Sequence, residues 1–139
     1  MKVRLHHINL SSTQVPEMRR FYMEALGLAD LPGRGAARQG QEFYSGETGF
    51  VTDGSMEFHL SQKDHLLGAK IGQHVNPVDR GHIAFRTDDI EAVKKHLKEK
   101  GIFFSDYGVW GMAGWSQIFF YDPAGNVIEM HQMMPGSQD

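Results

Sequence analysis

The chain has no cysteine among its 139 residues, so disulfides and thiolate chemistry are excluded. It has no apolar run near the roughly 18 residues needed to cross a bilayer, so a membrane-spanning role is not expected. It has no basic run, and its formal net charge is −3, so nothing draws the chain to nucleic acid or to an anionic membrane. The N-terminal MKVRLHHINL is strand-like from its first residues and lacks the apolar core of a signal peptide. Together these absences predict a cytoplasmic protein. What remains is ordinary for one globular domain, with 40% hydrophobic and 22% charged residues, except that eight residues are histidine.

The order of elements repeats. Residues 2–10 alternate as a strand with His7 and Asn9 on one face and His6 and Ile8 on the other. Ser11, Ser12 and Thr13 offer N-caps, Pro16 suits a first helical turn, and Val15, Met18, Phe21, Tyr22, Ala25 and Leu26 recur at helical spacing up to a Gly27 stop. Leu28–Leu31 reads as a short strand, followed by a long loop around Pro32 to Gly46. Phe50–Thr52 and Met56–Ser61 form a hairpin about Asp53-Gly54. The polar stretch 62–80 reads as a linker. The order then restarts: a strand at 81–85, a helix capped by Asp88 or Asp89 and closed by Gly101, a strand at Ile102–Phe104, a Gly- and Trp-rich loop from Asp106 to Trp115, and a last hairpin whose turn is Asp122-Pro123-Ala124-Gly125-Asn126.

The predicted architecture is therefore α+β: two tandem β-α-β-β-β units in a single domain spanning 1–139. The first unit covers about 2–61, the linker 62–80 and the second unit about 81–133. The sheets are expected to be curved and mixed, with the helices outside, about a pseudo-twofold cleft.

Counting supports the repeat. His7 precedes Gly27 by 20 residues and His82 precedes Gly101 by 19. Glu129 lies between Ile128 and Met130 in a half-buried strand, where an isolated carboxylate needs a partner. Its counterpart in the first unit is His59 in one register and Glu57 in the register two residues earlier; both point to the same face. His7, His82 and Glu129, with His59 or Glu57, form a donor set of imidazoles and carboxylate suited to Zn²⁺, Ni²⁺, Fe²⁺, Co²⁺ or Mn²⁺. His131 reads as a cleft-rim residue, His6 as a structural residue of the opposite face, and His65, His74 and His96 as solvated. Tyr121, just before the last turn, could donate to a substrate oxygen or simply pack. Trp110 and Trp115 read equally as a lid over the cleft or as packing on the sheet.

LHHINL (5–10), FYMEALGL (21–28), MEFHL (56–60), GHIAFRTDDIEAV (81–93) and FFYDPAGNVIEM (119–130) together resemble the vicinal oxygen chelate superfamily, which includes glyoxalases, methylmalonyl-CoA epimerases, extradiol dioxygenases, fosfomycin-resistance enzymes and bleomycin-resistance proteins. The resemblance implies a divalent metal held by His7, His82 and Glu129, and it favours His59 over Glu57 as the fourth ligand. It implies a glyoxalase-type lyase or isomerase that turns over a small oxygenated metabolite through a metal-chelated, enolate-like intermediate, with Glu129 or Glu57 moving the proton. An extradiol ring-cleaving dioxygenase is the alternative enzyme, and a metal-free, bleomycin-resistance-like binding protein the alternative of another class. Arg34, Arg38 and Lys70 are the basic residues expected near the cleft mouth, without forming a phosphonate cradle. Short members of this superfamily commonly dimerise, so a homodimer is expected, with a small molecule as the only other partner.

Overall fold

The structure is a computed structural model and describes residues 1–36, 38–39 and 44–137; the side chains of 35, 36, 38 and 39 are outside that description. In chain order the elements are β1 (Val3–Ser12), α1 (Val15–Arg20) continued by a π-helical turn (Phe21–Ala25), β2 (Ala29–Asp30), α2 (Pro32–Ala36), β3 (Arg38–Gln39), β4 (Thr48–Thr52) and β5 (Glu57–Gln62). They continue with α3 (Leu67–Ile71), β6 (Gly81–Thr87), α4 (Ile90–Glu99), β7 (Phe104–Val109), β8 (Gly111–Met112), β9 (Trp115–Tyr121) and β10 (Val127–Met133). No helix among the described residues is long and apolar enough to cross a membrane.

Eight strands form one mixed sheet in the order β2-β4-β5-β1-β6-β10-β9-β7. Read outward from its middle, the order is the same in both directions: first strand, last strand, then the two others. β1 pairs β5 in parallel and β6 pairs β10 in parallel, while β1 and β6 join antiparallel at the centre. This is the α+β, duplicated arrangement that the repeat predicts.

The pairing also answers which first-unit residue matches Glu129. Ile8 pairs Phe58, and Ile83 pairs Ile128. Because His7 precedes Ile8 as His82 precedes Ile83, the residue after Phe58, His59, stands where Glu129 stands after Ile128. Glu57 is two positions earlier on the same face.

The apolar periodicities explain the layers. In α4, Ile90, Val93 and Leu97 are buried and pack with Ile118 and Met130 on the outer face of the sheet. The Asp89 side chain accepts from the Ala92 N–H at 3.0 Å and caps this helix. α1 follows the pattern less well. Val15 is buried, but Phe21 and Leu26, expected on the inner stripe, are exposed. The switch to π-helical winding after Arg20 rotates the later residues off that stripe.

Three other segments differ from expectation, the first being the loop expected around Pro32 to Gly46, which carries α2 and β3. The strand expected at Ile102–Phe104 begins at Phe104 and runs to Val109, leaving Ile102 and Phe103 exposed. Asp106 and Gly108 disguised it: the β7–β9 register shifts between them, and Gly108 takes φ +62°. The polar stretch 62–80 contains α3, and Leu67 and Val78 are buried against Tyr44. Val75 is buried with Phe119 and Val127. The connection is thus built into the core, because Leu67, Val75 and Val78 point inward.

Gly81 opens β6 at φ +119°, where a Cβ would collide with the Asn9 carbonyl oxygen of the neighbouring strand. Gly54 has φ +99° but open space around it. Gly81→Ala is expected to cost more than about 3 kcal/mol or prevent folding, while Gly54→Ala costs about 1–2 kcal/mol, the strain of a left-handed backbone alone. Urea denaturation of the two variants measures the difference.

Candidate metal centre

The two central strands and their parallel partners bring His7, His59, His82 and Glu129 to one face of the sheet, around a cavity of about 480 Å³ with its open mouth included. Phe50, Val78, Trp110 and Met112 supply apolar wall, and Asn9, Ser61 and Gln117 polar wall. Glu129 is the only carboxylate among the described lining residues and is 1% exposed.

Each group around the carboxylate can be assigned from its partners. Arg86 Nε donates to His131 Nε2 at 2.9 Å, and an arginine can only donate. His131 Nδ1 therefore carries the hydrogen and donates to Glu129 Oε2 at 2.6 Å. Gln117 Nε2 donates to Glu129 Oε1 at 3.2 Å. His82 Nδ1 lies 2.8 Å from the Pro77 carbonyl, which can only accept, so this nitrogen also carries a hydrogen. In the neutral ring, His82 Nε2 is then a lone pair 3.2 Å from Glu129 Oε1. Two acceptors at this distance are reconciled only by a proton or a cation between them.

The other imidazoles have comparable outer partners. His7 Nδ1 and His6 Nδ1 are 2.9 Å apart, and His7 Nε2 lies 3.8 Å from Glu129 Oε2. His6 Nε2 faces Glu57 Oε2 at 3.6 Å. A hydrogen on His6 Nε2, toward the carboxylate, leaves His6 Nδ1 to accept from His7 and turns a His7 lone pair toward Glu129. His59 stacks on His7 with ring centroids 3.7 Å apart, and its Nε2 lies 2.8 Å from Glu57 Oε1. Arg34 grips the same carboxylate through two donors, at 2.9 and 2.7 Å.

The electrostatics suit metal ligation. Burial opposes ionisation of Glu129, but His7 and the hydrogen bond from His131 hold its carboxyl well below the usual range. Burial, with His59 next, holds His7 well below its ordinary value, and burial lowers His59 despite Glu57. Neutral imidazoles beside an ionised carboxylate are the states in which these groups bind a divalent ion. Glu57 is also buried in part, yet the bonds from His59 and Arg34 bring it down to about 2. The donor set therefore fits a metal; the ligand atoms of His7, Glu129 and His131 all lie within 4.8 Å of one another. The bond from Arg86 makes His131 the residue of that trio that orients the carboxylate.

Of the residues singled out in the sequence, His7, His82 and Glu129 converge, and His59 lies against His7. Glu57 sits behind His59 and outside the cavity lining. Tyr121 is remote: it is 39% exposed and stands near His74 and Phe103. Trp115 is buried and stacks on His131, and Trp110 lines the cavity beside Tyr44, so both pack and neither stands off the protein as a flap. Arg34 is committed to Glu57, Lys70 pairs with Asp64, and the Arg38 side chain is outside the described residues.

Two expectations are corrected. His131 is fully buried and not at a rim, because Arg86 and Trp115 cover it. His6 is on the site side, because the β1–β6 register shifts between Leu5 and His7 and leaves His6 as an extra residue. The sequence pattern alone does not single out Gln117. The signal available was its place on the face of β9 that alternation assigns to Phe119, which pairs Glu129.

A profile for the Glyoxalase/Bleomycin resistance protein/Dioxygenase superfamily matches residues 4–130. The chain belongs to this superfamily. No curated protein sequence matches it significantly. Among solved structures, methylmalonyl-CoA epimerase from Mycobacterium tuberculosis superposes with TM-score 0.68 at 16% identity, covering 94% of this chain and 88% of that one. Streptomyces coelicolor methylmalonyl-CoA epimerase, in complex with 2-nitronate-propionyl-CoA, gives 0.63 at 20%, covering 93% and 96%. A hypothetical protein from Bacillus halodurans C-125 gives 0.67 at 21% over the whole of both chains. At these identities the likeness extends to the fold.

Two outcomes follow for His6. His6→Phe removes the acceptor for His7 and is expected to weaken Zn²⁺ binding tenfold or more in a competition titration with a chelator, while His6→Gln, which keeps an acceptor, weakens it less. The second concerns acid stability of the metal-free protein. Burial, then Arg86, lowers His6 from 6.5 to about 3. The unfolded chain therefore binds the extra proton between these values, and stability falls as pH drops from about 6.5 toward 3. Urea midpoints across that range are expected to fall less steeply for His6→Phe than for the natural protein.

Proposed function

We propose that this protein is a metal-dependent lyase or isomerase of the glyoxalase type that moves a proton on a small oxygenated metabolite held in the cavity. One observation carries the reading: every prospective ligand has a partner on its other side. His7 has His6, His59 has Glu57, His82 has the Pro77 carbonyl, and Glu129 has His131 and Gln117. Metal-binding imidazoles are typically oriented by such outer hydrogen bonds.

His7, His59, His82 and Glu129 would hold the divalent ion. Such an ion supplies Lewis acidity, polarising a carbonyl so that the adjacent C–H becomes acidic. The protein's own groups do the remaining work. Glu129 is the cavity carboxylate able to take a proton from the substrate. His131 and Gln117 hold it in place, and its lowered pKa makes it a weak base suited only to a strongly activated carbon acid. Glu57, gripped by Arg34 and His59, stays charged and orients imidazoles instead of exchanging protons. Phe50, Trp110 and Met112 exclude water from one side. Structures with which this chain shares its fold are epimerases by name, which agrees with an isomerase reading.

Purified protein is expected to contain about one divalent ion per chain by elemental analysis, and Glu129→Ala to lose it. In D₂O, proton NMR of a panel of small hydroxy- and oxo-acids is expected to show C–H exchange with the natural protein and none with Glu129→Gln. Oxygen uptake with a catechol would make it a dioxygenase. A chain that neither contains nor binds a metal, yet binds small molecules, would be a binding protein.

A further inference from the structure

The Gln117 side chain carries an acceptor that the protein leaves unused. The residue lines the cavity beside Glu129 and is 4% exposed. Its Nε2 is committed to Glu129 Oε1 at 3.2 Å, and its buried Oε1 has no hydrogen-bond partner among the described residues. The amide cannot gain by turning over, because that would set its oxygen against the ionised carboxylate. Glu129 thus fixes the orientation, and β9 fixes the position, through the pairing of Gln117 with His131 and of Phe119 with Glu129.

A buried acceptor with no donor is destabilising, and most such groups in native proteins are satisfied by something. The donors bonded around the carboxylate are already committed. His131 spends one nitrogen on Arg86 and the other on Glu129, and His82 Nδ1 is bonded to Pro77. A molecule in the cavity can supply the donor that they do not.

We propose that Gln117 is a specificity residue whose Oε1 accepts a hydrogen bond from a hydroxyl of the substrate, so that the site selects hydroxy-carboxylates or hydroxy-carbonyl compounds over analogues lacking that hydroxyl. The proposal rests on the same cavity being the substrate site. It does not need the metal, and it gives the amide oxygen a role beside the donor that Nε2 supplies to Glu129. A hydroxyl-bearing ligand completes the amide; one without it buries the same oxygen unsatisfied. Sites that hydrogen-bond a substrate hydroxyl discriminate strongly because of that asymmetry.

Glycolate and acetate are the probes, differing in the one hydroxyl. Their affinities are measured by calorimetry on the protein as purified and on the Co²⁺-loaded protein, where the visible spectrum gives a second reading. The natural protein is expected to prefer glycolate. Gln117→Met, close in size and without the oxygen, is expected to reduce that preference about tenfold, chiefly through glycolate. Gln117→Asn, which retains the amide oxygen without adding a charge beside Glu129, is expected to keep more of it. The ratio is internal to each variant, so a change in overall metal affinity cancels. The proposal is overturned if the natural protein shows no preference, if Gln117→Met keeps the full preference, or if both variants lose it equally, in which case Gln117 only positions Glu129. Failure of the metal reading is recognised separately: Co²⁺ then produces no ligand-field spectrum, while the glycolate preference persists in the protein without metal.

Discussion

A single negative charge sits in the middle of the sheet, and much of the surrounding arrangement can be traced to it. Glu129 is almost fully buried on the face where β6 and β10 run parallel. Removing an ionised carboxylate from water costs several kcal/mol even after relaxation, and only charge-assisted hydrogen bonds or a counter-charge offset that cost. The protein spends His131 and Gln117 on it directly and places Arg86, itself buried, one residue behind His131. Their hydrogens then dictate which lone pairs remain for His82 and His7. The tautomers of the centre follow from fixed donors and acceptors at its edge: a guanidinium, a backbone carbonyl and the Arg34-bound carboxylate of Glu57.

The two halves of the sheet share a frame but not a chemistry. Where the second unit pairs Arg86 with His131, the first pairs Ser11 with Ser61. Asn9 donates to Ser61 Oγ at 2.9 Å, so this matching corner is a neutral, self-satisfied network. The duplicated strands thus provide four equivalent positions, His7, His59, His82 and Glu129, while the residues beyond them have diverged: Arg86 and His131 in one half, Ser11 and Ser61 in the other. Trp115 lies against the charged side, with guanidinium groups of both Arg34 and Arg86 about 5 Å from its ring, and so links loop, sheet and site.

The fold was legible because its periodicities were clean. Alternation in β1 and β6, the Ile90–Leu97 stripe and the turn around Gly125 each point to one local structure, and their repetition gave the duplicated order. The convergence of His7, His82 and Glu129 followed from that repetition. What stayed hidden has physical reasons. Alternation places His6 on the opposite face because a one-residue bulge inside LHHINL leaves no mark in composition. His131 looked like a rim residue because its burial depends on Arg86, whose own burial is a tertiary fact. Gln117 gave no signal because an amide gains its meaning from the carboxylate across the strand. Phe21 and Leu26 fit a helical stripe that the π-helical turn abandons.

The symmetric strand order has a kinetic side. β1 is made first, yet its neighbours in the sheet are β5 and β6, and Glu129 arrives near the end of the chain. Contacts of such sequence separation require long loops to close before they contribute, which slows folding relative to a helical protein of similar size. The first unit emerges with one long edge of β1 unpaired until β6 is complete. The β6–β10 seam needs the end of the chain, and the charged cluster can form only once β10 lies beside β6.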